Sequence, residues 1–108
     1  MNLRVLVLDD GDVPTAGLCE VLRRADADVV RVLDFFEAHR ILDSHQFDVL
    51  VGHEVFLLVA KEMKLASRRC LLSADPAEWT PAQLDFIGAA SVISKATDAS
   101  ALLRAVGL

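Results

Sequence analysis

Five short apolar segments alternate along the chain with longer segments in which apolar and polar positions follow helical spacing. The apolar segments are rich in Val, Leu and Ile, and most of them stop at Gly, Asp or Ser, as buried strands of parallel sheets do. The predicted strands span residues 3–8, 29–32, 47–52, 69–73 and 91–94. The segments between them are long enough for helices that cross from one parallel strand to the next.

Capping signals predict where the helices begin. Asp12 or Val13 lies near the start of the first helix, and Pro14 falls in its first turn. Asp34 and Thr80 are each followed three residues later by Glu or Gln, which is the arrangement of a capping box. The predicted helices span roughly residues 13–24, 35–44, 55–65, 81–87 and 98–106.

This alternation predicts a single α/β domain over residues 1–108. The expected architecture is a doubly wound, five-stranded parallel sheet of flavodoxin-like type, with strand order 2-1-3-4-5 and helices on both faces. Ligands of such sheets bind beyond the carboxyl ends of the strands. Candidate chemistry is therefore expected in the residues that directly follow each strand.

Composition and charge narrow the function classes. The net charge of −5 argues against nucleic-acid binding, which needs a basic face. Cys19 and Cys70 lie inside apolar segments and form no CxxC pair, which predicts reduced, buried thiols and a cytoplasmic location. No apolar run approaches the ~20 residues of a membrane span, and the first residues lack the pattern of a signal peptide.

Polar residues after three of the predicted strands resemble those of receiver domains in bacterial two-component response regulators, the CheY-like family. Asp9 and Asp10 follow the first strand, Ser73 ends the fourth, and Lys95 follows the fifth after a step of 22 residues. In that family the acidic pair holds Mg²⁺, and the Ser and Lys contact the phosphoryl group. The resemblance covers nearly the whole chain and implies the fold named above.

The resemblance fails at the phosphoacceptor. The Asp that the family places after the third strand falls on His53, or on Glu54 if the strand slips by one residue. The loop that follows the acceptor in the family is absent, Lys95 is not followed by Pro, and Val92 replaces the aromatic switch residue. An aspartyl phosphate needs a carboxylate nucleophile beside a bound metal. These departures favour a degenerate receiver, or pseudo-receiver, that phosphorylation of an Asp does not switch.

Two interpretations of the acidic pair stay open. In the first, Asp9 and Asp10 keep a weak divalent-metal site for Mg²⁺, with Glu54 as a third oxygen ligand. In the second, Asp10 caps the first helix and Asp9 forms a structural ion pair with Lys95. No other cofactor is expected.

Two groups of apolar residues are candidates for partner contact. Val55 and Phe56 begin an unusually apolar third helix, which either packs fully on the sheet or leaves a strip exposed. Trp79, Phe86 and Val92 fall in the region that receiver domains use for dimerisation and output.

We therefore expect a phosphorylation-independent protein–protein interaction module without enzymatic activity. Its partner would be another signalling protein or a second copy of the chain, and neither nucleic acid nor membrane. The alternative is a Mg²⁺-dependent phosphoacceptor that uses His53 or Glu54. A small-molecule-binding flavodoxin-like domain is disfavoured, because the first strand is followed by acidic residues and not by a Gly-rich phosphate loop.

Overall fold

The computed structural model of the protein describes residues 2–9, 11–63 and 67–108. Within them, strands and helices alternate as the sequence predicts. Their bounds are β1 Arg4–Leu8, α1 Val13–Arg24, β2 Asp28–Val32, α2 Phe35–Ser44, β3 Val49–Gly52, α3 Glu54–Glu62, β4 Arg68–Ser73, α4 Pro81–Ile87, β5 Ser91–Ser94 and α5 Ala99–Val106. A short 3-10 helix, Pro76–Glu78, precedes α4 and was not predicted.

The five strands form one parallel sheet in the order β2-β1-β3-β4-β5. This confirms the predicted doubly wound fold. Leu8 of β1 is in register with Val32 of β2 and with Gly52 of β3, so the first three strands of the sheet end at the same level. The residues that follow these strands are thereby brought to one edge of the sheet.

The core has two layers because successive strand residues point to opposite faces of the sheet. One layer lies under α1 and α5, and the other lies under α2, α3 and α4. The inner strand β1 is buried on both faces, with Val5 and Leu6 both fully buried. Cys19 and Cys70 are buried free thiols, as predicted, and burial raises the pKa of both.

Side-chain caps begin the helices where the sequence predicts them. Asp12, Asp34 and Asp98 each accept a hydrogen bond from a backbone N–H three residues ahead, at 2.8–2.9 Å. Thr80 and Gln83 form a complete capping box, with both reciprocal hydrogen bonds present. The cap of α1 is therefore Asp12, and the interpretation that Asp10 caps this helix is wrong.

The third helix differs in extent from its prediction. It begins at Glu54 and ends at Glu62, three residues before the predicted end, and residues 64–66 lie outside the described part of the chain. Among the described residues, no helix combines the length and the apolar character needed to cross a membrane.

Candidate functional site

The carboxylate of Asp9 lies at the end of β1 and is almost fully buried, with 3% of the residue exposed. Arg31, from the edge strand β2, binds both of its oxygens: Nε donates to Oδ1 at 2.9 Å, and Nη2 donates to Oδ2 at 2.6 Å. The backbone N–H of Gly11 donates a third hydrogen bond to Oδ2 at 2.9 Å. Such bidentate pairs between Arg and a carboxylate are among the strongest hydrogen-bonded contacts in proteins.

Burial alone would make Asp9 hard to ionise. The hydrogen bonds from Arg31 and Gly11 outweigh this and hold the pKa of Asp9 below its usual range. Asp9 also raises the pKa of Arg31 through the same hydrogen bonds. The pair is therefore fully ionised at neutral pH, and the positive charge beside Asp9 is supplied by the chain itself.

A second ion pair lies beside the first. Asp12 accepts a hydrogen bond from the Lys95 ammonium with Oδ2 while Oδ1 caps α1 through the N–H of Thr15. Arg31 connects the two pairs, because Nη2 also donates to the backbone carbonyl of Asp12 at 3.0 Å. The Lys95 ammonium, helped by the hydrogen bonds from Thr15, holds the pKa of Asp12 well below its usual range.

The expected ion pair between Asp9 and Lys95 is therefore wrong. Lys95 binds Asp12, and Asp9 binds Arg31, which the sequence analysis did not identify. The sequence signal for Arg31 was a charge near the carboxyl end of an otherwise apolar strand. The register of β2 places it opposite Val7, so that its side chain lies on the same face of the sheet as Asp9.

The ion pair of Asp12 leads to a pH-dependent prediction. Replacing Asp12 by Asn keeps a good cap but removes the charge that Lys95 binds, so we expect a loss of about 1–2 kcal/mol in unfolding free energy at pH 7. The carboxylate's contribution is fully present above the usual Asp pKa of about 4 and is lost as pH falls through the depressed folded value. The difference between wild type and Asp12→Asn should therefore shrink in acid. Urea unfolding from pH 7 to pH 3 measures it.

The control is Asp98→Asn, because Asp98 caps α5 in the same way through the N–H of Ala101. Asn and Asp are nearly equal as caps, so this change should cost only a few tenths of a kcal/mol. If the unfolding free energy lost in Asp12→Asn stays constant down to pH 3, the assignment of the ion pair between Asp12 and Lys95 is contradicted.

His53, Glu54, Ser73 and Lys95 come together around an open cleft of about 400 Å³ at the carboxyl ends of β3, β4 and β5. His53 is the half-buried N-cap of α3, without a side-chain hydrogen bond to the helix, and Glu54 is exposed. The hydroxyl of Ser73 accepts a hydrogen bond from the N–H of Asp75 at 3.1 Å, and its carbonyl accepts one from the N–H of Lys95 at 3.0 Å. The structure thus assembles most of the predicted pocket.

The described residues do not form a metal site. No three His, Cys, Asp or Glu side chains in ranges 2–9, 11–63 and 67–108 cluster closely enough to hold an ion. Asp10, the other predicted ligand, lies outside these ranges. Both oxygens of Asp9 already accept hydrogen bonds, so a divalent cation there would have to displace Arg31. The described residues around Asp9 therefore do not fit a bound Mg²⁺.

The predicted interaction face divides into buried and exposed parts. Phe56 is only 2% exposed and meets the ring of Phe35 edge to face, with centroids 6.0 Å apart, so its assignment to the surface is wrong. Val55 is 59% exposed and Phe86 is 70% exposed. Trp79 and Val92 are half-buried and pack against the core layer under α2, α3 and α4.

Two strongly exposed apolar residues that the sequence analysis missed follow the end of β2. Leu33 is 60% exposed and lines a groove with Val55, and Phe36 is 89% exposed. With Phe35 and Val55 they form what we call the carboxyl-end apolar surface: Leu33, Phe35, Phe36 and Val55. Its residues come from the starts of α2 and α3 and from the loop before α2, which are distant in sequence, and so no single apolar stretch indicated it.

The fold resembles that of solved receiver domains. A chemotaxis response regulator of Vibrio cholerae is 18% identical, with a TM-score of 0.79 over 96% of this chain and 95% of that one. A receiver domain of a Bermanella marisrubri response regulator is 23% identical, with a TM-score of 0.76 over 96% and 94%. The receiver domain of an HD domain-containing protein from Pseudomonas fluorescens is 19% identical, with a TM-score of 0.80 over 97% and 91%.

No protein-family model matches the chain, and no curated protein matches it. The structural likeness nevertheless covers nearly the whole of each chain. The protein therefore has the flavodoxin-like fold of CheY-like response-regulator receiver domains.

Proposed function

We propose that the protein is a receiver-like domain of two-component signalling that works through protein–protein contact and is not switched by phosphorylation of an Asp. The observation that supports this most is the buried pair between Asp9 and Arg31. It places a fixed internal cation at the acidic position where a phosphorylated receiver would hold a metal ion.

The energetics of the pair argue against exchange for a metal ion. Separating a buried ion pair leaves an uncompensated charge, which costs about 3–5 kcal/mol. A divalent cation arriving at Asp9 would have to offset that loss and would place a second positive charge next to Arg31. Asp9 alone would gain little from ligating a metal ion with its oxygens, because such ions normally take several oxygen ligands.

The other parts of the pocket agree with this proposal. Position 53, directly after β3, carries an imidazole and not a carboxylate. The Lys95 ammonium is bound to Asp12, and the hydroxyl of Ser73 holds the N–H of Asp75. Lys95 and Ser73 thus have roles in the folded chain that require no phosphoryl group.

The second candidate function is a phosphoacceptor that uses His53 or Glu54. The observation in its favour is that both residues line one open cleft with Ser73 and Lys95. A phosphoryl group on either of them would lie near two groups that could hydrogen-bond to its oxygens.

Exposure to a phosphodonor separates the two functions. The purified protein is incubated with Mg²⁺ and acetyl phosphate at pH 7, and its intact mass is measured. We expect no adduct, because no carboxylate nucleophile follows β3 beside a metal ion. A mass increase of one phosphoryl group that disappears in His53→Ala or Glu54→Gln would replace the proposal with the second function.

A further inference from the structure

The carboxyl-end apolar surface is strongly exposed and is joined to the core through one ring. Phe36 and Leu33 are 89% and 60% exposed, which is unusual for neighbouring large apolar residues. The ring of Phe35, in the same surface, contacts the buried ring of Phe56 edge to face. The surface is therefore an apolar platform that folding leaves uncovered.

Two adjoining grooves run along this surface and share the ring of Phe35. One groove, of about 200 Å³, lies among Leu33, Asp34, His53 and Val55. The other groove, of about 440 Å³, lies along α2 beside Phe36, His39, Arg40 and Asp43. Grooves on either side of one aromatic ring can take two apolar side chains from successive turns of a helix.

Negative charge surrounds the platform at the carboxyl end of the sheet. The charges of Asp9 and Asp12 are cancelled by Arg31 and Lys95. Two further carboxylates at the start of α2, next to Phe35 and Phe36, form what we call the acidic rim: Asp34, which lines the first groove, and Glu37. In the part of the chain that the structure describes, neither forms an ion pair with Lys or Arg. Arg40 and Asp43 line the second groove, where Asp43 lies 3.5 Å from the ring of His39.

We propose that the carboxyl-end apolar surface binds a basic amphipathic helix of a partner protein. Its apolar side chains would fill the two grooves beside Phe35, and its Lys or Arg residues would face Asp34 and Glu37. This inference rests on the proposed function, because it names the partner chemistry of an interaction module.

The same charges disfavour the other occupants. A second copy in a two-fold contact would place this acidic rim against itself, and like charges across an interface cost binding energy. Nucleic acid and anionic lipid would be repelled in the same way. A cationic partner gains binding free energy from attraction to the acidic rim, and the apolar contacts add to this binding free energy.

The test uses a fluorescently labelled helical peptide with Leu at i, i+3 and i+7 and Lys on both flanks. Anisotropy should report binding to the wild-type protein that weakens as salt is added. Phe36→Ser and Val55→Ser should each weaken binding about tenfold, since each removes an apolar anchor. Asp34→Asn, which keeps a good cap on α2, should weaken it by a smaller factor and reduce its dependence on salt.

The matched control is Phe86→Ser, which removes a similarly exposed phenylalanine from α4, away from this surface. It should leave the affinity unchanged. Phe36, Val55 and Phe86 are all exposed, so these variants should fold, and circular dichroism would check this.

Three results would overturn the inference. The first is that a peptide with Glu in place of Lys binds equally well. The second is that Phe36→Ser leaves the affinity for the basic peptide unchanged. The third is that the basic peptide fails to bind while sedimentation shows a concentration-dependent dimer that Phe36→Ser abolishes. The assay contains neither Mg²⁺ nor a phosphodonor. A failure of the peptide to bind therefore does not change the result of the phosphodonor experiment. A phosphoryl adduct would overturn the proposed function, and peptide binding would still be measured independently.

Discussion

Replacing Arg31 by Met should lower the free energy of unfolding by about 3–5 kcal/mol, because it leaves the buried Asp9 carboxylate without its cation. Met keeps much of the apolar stem of Arg, so the change removes mainly the charge and its hydrogen bonds. Urea unfolding at pH 7 measures the loss. In the variant, burial raises the pKa of Asp9, so the deficit should narrow as pH falls and the carboxyl group takes up a proton.

The control for this prediction is Arg24→Met. Arg24 pairs with Glu20 at 3.3 Å on the exposed face of α1, where its side chain is 80% exposed. Exposed pairs of this kind contribute about 0.3–0.5 kcal/mol. If Arg31→Met costs no more than Arg24→Met, the pair at Asp9 does not have the stabilising role that the proposed function gives it.

Replacing Phe56 by Ala should cost about 3–5 kcal/mol, as expected for a large aromatic side chain removed from a well-packed core. The ring packs against Gly52, where a Cβ atom would collide with it, and against Phe35. Its loss would open a cavity between β3 and α2 that neither neighbour can fill. Thermal or urea unfolding measures the effect.

Phe86→Ala is the matched control, because Phe86 is 70% exposed. Its main contact is with the Lys61 ammonium, 5.8 Å from the ring centroid, so its removal should cost less than about 1 kcal/mol. Equal losses at the two positions would contradict the assignment of Phe56 to the core and would return it to the predicted interaction face.

The sequence predicted the secondary structure well because its signals are local. Strands end at residues such as Gly52 and Ser73, and caps such as Asp34 and Thr80 need only the N–H groups three residues ahead. The strand order followed from the alternation of strands and helices and from the resemblance to receiver domains. The structure confirms both.

The ion pairs were harder to predict because they depend on register between distant segments. Arg31 lies 22 residues from Asp9, and Lys95 lies 83 residues from Asp12. Counting residues shows that four charges lie near one edge of the sheet, but it does not show which acid binds which base. Only the pairing of β1 with β2 places Arg31 beside Asp9.

The sequence also did not indicate which side of α3 is exposed and which is buried. Val55, Phe56, Leu57 and Leu58 are all apolar, so the pattern does not distinguish the face that packs on the sheet. The turn of the helix buries Phe56 and Leu57 and exposes Val55. A continuous apolar run therefore predicts a helix near the core without identifying its exposed side chains.

The most direct test of the internal cation is a Mg²⁺ titration of the ¹⁵N-labelled wild-type protein, with amide chemical shifts as the readout. Gly11 and Arg31 are the probes, because Gly11 N–H and the Arg31 guanidinium both bind Asp9. We predict that these amides do not shift up to millimolar Mg²⁺, because Arg31 already occupies the carboxylate. Saturable shifts at both amides would contradict this, since they would show that a metal ion displaces Arg31 and that the pocket keeps the cation site of a phosphorylated receiver.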